Sequence, residues 1–185
     1  VYGSIQAVET DRTENFGYKS NKTGFEIGTQ FEYLDDFNLG LSTRTFYEKI
    51  ETDSTASTRQ QQQEGNYLDN FVKFNFDYDK RNQKFRTTDG FRSFYSLDLP
   101  IISETNTLTN SYSYKLFSEL YENNLSSVSL LLKSSNSLSG DDIKLSERLS
   151  IPTSRLRGFE RGKVGPKDGG DFIGGNYLAA LNFQS

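Results

Sequence analysis

The side chains best suited to directed polar chemistry fall late in the chain, in Arg155-Leu156-Arg157-Gly158-Phe159-Glu160, Gly165-Pro166-Lys167-Asp168 and Phe172-Ile173-Gly174-Gly175-Asn176. An arginine fork makes several directional bonds to carboxylates or carbonyls, which suits a loop that must be anchored in polar surroundings. The glycine-rich run from 162 to 175 has the composition of a phosphate cradle, but no Gly-Lys-Ser/Thr and no strand-to-helix context accompanies it. Asp168 and Asp171 offer carboxylates for calcium, yet their spacing is not that of a calcium loop with its distal bidentate Glu. Glu26 and Glu32 are paired carboxylates of the kind used in acid-base catalysis. Their place on an alternating stretch makes lining water the simpler role.

Composition removes much of the remaining chemistry. The 185 residues contain no Cys, His, Trp or Met, which excludes a disulfide framework, Cys/His zinc sites, Cys nucleophiles and any Ser-His or Cys-His pair. No enzyme, cofactor or metal site is expected. The chain begins at Val1 with neither an initiator methionine nor a charged and apolar signal sequence, and so reads as an internal fragment. Net charge is -4 and the basic residues are scattered, so no nucleic-acid partner is indicated.

The 34% hydrophobic content argues against a large continuous core, while 15 Phe and 11 Tyr are too many for a disordered chain. No apolar run approaches the ~18 residues of a spanning helix, so any spanning element must be a strand.

The elements that must carry the late loop have a period of two. Phe25, Ile27, Thr29, Phe31 and Tyr33 alternate with Glu26, Gly28, Gln30 and Glu32, and Val72, Phe74, Phe76 and Tyr78 alternate with Lys73, Asn75 and Asp77. The pattern returns in Leu39, Leu41 and Tyr47 against Arg44 and Glu48, in Phe91 to Leu99, in Tyr112 to Leu120, and in Val128, Leu130 and Leu132 against Ser129 and Lys133. No helical period competes.

Polar connectors separate these segments, tight at Leu34 to Asn38 and Glu122 to Ser127 and moderate at Asp79 to Asp89. Others are long, at Glu9 to Lys22, Glu51 to Asn70 and Pro152 to Phe172, with Ile102 to Asn110 intermediate. Alternating short turns and long loops are what an up-and-down sheet gives when it crosses a membrane, and about eight strands of roughly 10 residues are expected. A soluble sandwich also has period-two strands. Charged inward faces on nearly every strand, and Tyr33, Tyr47, Tyr78, Tyr112 and Phe91 near strand ends, favour the barrel with its wet lumen and aromatic girdles.

The late motifs resemble the sixth extracellular loop of the Omp85 superfamily, which carries Val-Arg-Gly-Phe/Tyr, then Gly-Pro, then Gly-Gly-Asn opening the next strand. Leu156 stands where the family has Val, followed by Arg157, Gly158 and Phe159, then Gly165 and Pro166 with Asp168, then Gly174, Gly175 and Asn176. Within the superfamily the chain resembles the BamA-type assembly-factor branch of proteobacteria. Asp79-Lys80-Arg81-Asn82 through Thr88-Asp89-Gly90-Phe91 is similar to its periplasmic turn and following strand start.

The resemblance implies an all-β fold, a transmembrane antiparallel up-and-down β-barrel, here a partial barrel covering about strands five to twelve of sixteen. Residues 1–185 would form one partial Omp85 barrel domain, with 152–172 as the lumen-inserting loop. In that loop Arg157 is expected to anchor to an acidic residue on a later strand, Gly158 to allow a tight turn, Phe159 to supply a buried contact and Pro166 to stiffen the return.

The implied function is assembly and insertion of barrel proteins in the bacterial outer membrane. Partners would be outer-membrane lipid, unfolded outer-membrane protein clients and accessory assembly lipoproteins. An Omp85 transporter of the two-partner secretion type, exporting one protein, is the alternative, with a solute porin and a soluble β-sandwich behind it.

Overall fold

The structure, a computed structural model, describes residues 1–122, 124–160 and 162–185. Its main element is an eight-stranded sheet in the order β1-β2-β3-β4-β5-β6-β7-β10. The strands are β1 (Tyr2–Arg12), β2 (Tyr18–Leu34), β3 (Phe37–Thr52), β4 (Gly65–Asp79), β5 (Gly90–Ile102), β6 (Thr107–Tyr121), β7 (Asn124–Ser137) and β10 (Tyr177–Gln184). Every neighbouring pair is antiparallel. A small hairpin, β8 (Lys167–Asp168) with β9 (Asp171–Phe172), lies inside the long connector between β7 and β10. Two single-turn helices, α1 (Thr13–Phe16) and α2 (Thr58–Gln61), sit in the connectors that follow β1 and β3.

Burial is inverted relative to a water-soluble sheet. Phe25, Ile27, Phe31, Leu41, Tyr47, Leu68, Phe76 and Leu132 are exposed on the convex side, while Ser42, Glu48, Asp69, Ser96, Ser129 and Ser135 are buried on the concave side. Because side chains alternate at every residue, one register serves both faces: Leu41 opposes Phe74 on the outside and Ser42 opposes Lys73 on the inside. Apolar outside and polar inside is the distribution of a wall with lipid on one side and water on the other.

Near the short turns the outer face carries a row of packed rings. Phe37 and Tyr78 are 6.1 Å apart, Tyr78 and Phe91 5.6 Å, and Phe91 and Tyr114 5.7 Å between centroids, tying β3, β4, β5 and β6 together. The turns themselves rest on residues that tolerate unusual backbone. Asp36 closes the β2–β3 hairpin at φ 64°, and its carboxylate takes Lys80 Nζ at 2.7 Å. Gly90 opens β5 at φ 94°, where an added Cβ would collide with the Lys80 carbonyl.

Two expectations about lengths change. The strands run from 8 to 17 residues instead of about ten, and the connectors after β1 and β5 shrink to residues 13–17 and 103–106. The reason is that hydrophobic alternation ends where the apolar surroundings end, whereas the hydrogen-bonded ladder continues. Thr10↔Ser20 and Asp11↔Lys19 are polar on both faces and still paired. Conversely, the connector between β7 and β10 is longer than 152–172, occupying 138–176 apart from its own hairpin.

Candidate functional site

The concave face is occupied by the stem of the long β7–β10 connector. A single 3-10 turn at Leu145–Glu147 lays this stem across β2, β3 and β4, and Lys144 enters the wall there with no solvent exposure. Its ammonium is 3.1 Å from Glu48 and 3.6 Å from Glu147, is bonded to Asp69, and stands 5.0 Å from the Tyr67 ring centroid. Burial disfavours the charged ammonium, but Glu147, Glu48 and Asp69 outweigh it and push the Lys144 pKa above its ordinary value.

The carboxylates are themselves supported. Ser20 Oγ donates to Glu48 at 2.5 Å, Ser146 Oγ donates to its other oxygen at 3.0 Å, and Ser103 Oγ donates to Asp69 at 2.6 Å. A buried charge is tolerated when its partners are close and their remaining lone pairs are filled, as here.

Above this cluster the connector forms a cap with the two short helices. Phe16, Tyr18, Ile50 and Leu145 bury one another, with Tyr67 and Phe172 against them, and the Tyr18 hydroxyl donates to the Leu145 carbonyl at 3.2 Å. Asp142 is gripped by Arg59 through two bonds of 2.6 and 2.7 Å and by Arg148 at 2.5 Å. Burial works against the Asp142 carboxylate, but the bond from Arg59 and the charges of Arg148 and Arg59 hold its pKa below the ordinary value.

Gln60 to Gln63, a polar run inside the connector after β3, is structural. Gln60 is 1% exposed, completes a capping box with Ser57 and donates to the Phe16 carbonyl at 2.8 Å, while Gln63 accepts from the Leu145 amide at 2.8 Å.

The motif residues fall into separate places. Gly174, Gly175 and Asn176 close the connector: Gly175 exchanges two backbone bonds of 2.8 Å with Leu149, and the Asn176 carbonyl accepts from Ser135 N at 2.8 Å. Gly174, at φ 72°, passes so near the Leu149 carbonyl that a Cβ would lie 2.9 Å from it. The Pro166 carbonyl accepts from Ile173 N at 3.1 Å, and Gly165 has φ 136°. Asp168 faces Asp171 across β8–β9 and takes the Ser57 hydroxyl at 2.7 Å, tying this hairpin to α2.

At the tip, Gly158 turns with φ 83° and Arg157 is exposed. Phe159 is 59% exposed and lines a hollow within the loop with Leu156, so it is not brought into the wall as a buried contact. Arg155 is the residue that holds the tip: its guanidinium donates to Ser129 on β7 at 2.6 Å and its carbonyl accepts from Asn182 on β10 at 2.6 Å.

The Omp85 superfamily domain matches residues 2–184. The chain belongs to the Omp85 superfamily. This Omp85 chain also superposes on the crystal structure of BamA from Haemophilus ducreyi lacking POTRA domains 1-3, with a TM-score of 0.84 at 18% identity. The superposition covers 98% of this chain and 40% of that one, so the Omp85 chain spans well under half of that BamA structure. The all-β, antiparallel, up-and-down wall is therefore a partial barrel of BamA type. No curated protein sequence matches the chain.

The glycine-rich turns of this loop are visible in the sequence, whereas the roles of Lys144, Asp142 and Gln60 are not. Lys144 stands in Asp141-Asp142-Ile143-Lys144, which reads as an ordinary charged loop, and its partners on β3 and β4 are far away in sequence. The available signal was the inward placement of Glu48 and Asp69, two carboxylates on adjacent strands that burial obliges to find a cation.

Proposed function

We propose that this Omp85 chain is part of the wall and lumenal loop of an outer-membrane assembly factor, a protein that folds and inserts other barrels into the bacterial outer membrane. The reading rests above all on the loop stem fixed into the concave face through Lys144, Glu48 and Asp69. A stem bonded across β2 to β4 occupies part of the face that a solute pore would leave to its channel. The outer aliphatic face contacts outer-membrane lipid, the short turns face the periplasm and the capped connectors face outward. Residues 156–159, 165, 166, 168 and 174–176 act as the motif loop that braces the wall, and 1–185 forms one partial barrel domain in the region of strands five to twelve.

The physical logic of such a factor is edge templating. An unpaired row of backbone N–H and C=O groups is costly in lipid and readily accepts another strand. Unfolded outer-membrane protein clients supply that strand, accessory lipoproteins engage parts outside this chain, and no bond-making chemistry is assigned to its residues.

The test is depletion of the full-length protein in its own cells, followed by measurement of several unrelated barrels in the outer membrane. All should fall together. Normal barrels with loss of one exported protein would overturn the assembly reading and indicate two-partner secretion.

A further inference from the structure

One polar hollow lies apart from the Lys144 cluster, beside the base of the loop tip. It is a half-open hollow of about 440 Å3 between Arg92, Phe94, Lys115 and Phe117 of β5 and β6, Arg81 of the turn below β4, and Arg155 of the loop tip. Two of its four cations are neutralised. Arg81 holds both oxygens of Asp79 at 2.7 and 2.6 Å, and Arg92 holds both oxygens of Asp77 at 2.8 Å.

The other two have no carboxylate among the described residues. Lys115 Nζ lies 4.7 Å over the Phe117 ring, and Arg155 donates to the neutral Ser129 hydroxyl. Ser129, which Arg155 engages, is the cross-strand partner of Lys115, so the two unbalanced cations come together on one side of the hollow, where they repel each other and favour a bridging anion.

We propose that this chamber binds a carboxylate-bearing ligand, an extended acidic peptide segment entering from the short-turn side of the wall. The volume is many times the ~30 Å3 share of one water, so a bare inorganic anion would leave it mostly to solvent. A side-chain carboxylate with its attached backbone fills it, with the Phe94 and Phe117 rings covering the apolar part. Arg81 marks the short-turn end, because it belongs to the 80–89 turn, and Arg155 borders the β7 side through Ser129. Entry from the periplasm rests on the orientation proposed above; the anion site itself does not.

The test uses the full-length protein in detergent micelles and fluorescein-labelled penta-aspartate, followed by anisotropy, with penta-asparagine as the uncharged control. Penta-aspartate should bind, weakening as salt rises. Lys115→Gln and Arg155→Gln should each reduce affinity about tenfold, as loss of one charged hydrogen bond does, while Lys49→Gln on the outer face should not.

Equal affinity for both peptides, or wild-type affinity in both chamber variants, would overturn the proposal. If Arg155→Gln fails to fold, Lys115→Gln decides, since that ammonium makes no hydrogen bond to the wall among the described residues. Labelling of a Lys84→Cys turn variant by an impermeant maleimide from outside intact cells would overturn the side of entry while leaving the binding result standing.

Discussion

Lys144 meets Asp69 across 75 positions of sequence, and neither side chain has any solvent exposure. This contact fastens the β7–β10 connector to the wall. Truncating a buried charge strands its partners, at a cost of ~3–5 kcal/mol. Lys144→Met in the full-length protein should therefore lower the temperature at which the barrel loses its folded electrophoretic mobility and expose residues 138–149 to protease. Because the carboxylates then repel, adding Asp69→Asn to Lys144→Met should recover part of the loss. Additive effects of the two changes would refute the coupling.

The cap should loosen in acid. The Asp142 pKa is lowered by Arg59 and Arg148, so its contribution is present above the ordinary carboxylate pKa and is lost as pH falls through the lowered one. Hydrogen exchange at residues 141–149 should be flat from pH 7 to about 5 once the intrinsic rate is removed, and rise below the usual Asp value of about 4. Asp142→Asn should abolish that dependence; an unchanged profile would point to another group.

The two tip arginines should separate in their effects. Arg155→Ala breaks contacts to Ser129 directly and should free the tip within this part of the wall. Arg157→Ala, at an exposed position here, should lower assembly competence of the full-length protein through a partner outside residues 1–185. Unchanged heat-modifiable mobility, loop protection and client insertion in Arg157→Ala would count against its anchoring role.

Face identity gives a direct test of the lipid boundary. Leu41→Arg places a cation on the exposed outer face and should cost ~2–4 kcal/mol near mid-bilayer, seen as reduced insertion into vesicles. Gln30→Arg, pointing the other way on the neighbouring strand, should insert nearly as well as the unaltered protein. Equal penalties would mean that the faces have been assigned wrongly.

The wall was legible in the sequence because pleating imposes a strict period, and Val72 to Tyr78 carries that period without interruption. Strand ends were less legible: β1 and β2 pair through Glu9↔Asn21 and Asp11↔Lys19, where no apolar residue marks the ladder. The turns of the late loop were legible from the glycines in Arg157-Gly158-Phe159 and Gly174-Gly175-Asn176, but the residues that hold the loop were not. Lys144 and Arg155 act through partners on distant strands and Gln60 through the Phe16 carbonyl of α1, and such pairings leave no local periodicity.

The Lys144 cluster also constrains the order in which the wall can mature. Glu48 and Asp69 belong to strands made well before residue 144, so their charges lack this counterion until β7 and its connector have emerged. Glu48 has Lys22 at 3.8 Å on the neighbouring strand in the meantime, whereas the only ammonium beside Asp69 among the described residues is the one that the late loop brings. High contact order slows folding, and contacts spanning 75 and 98 positions, Lys144 to Asp69 and Ser146 to Glu48, put this stem among the last parts of the wall expected to assemble.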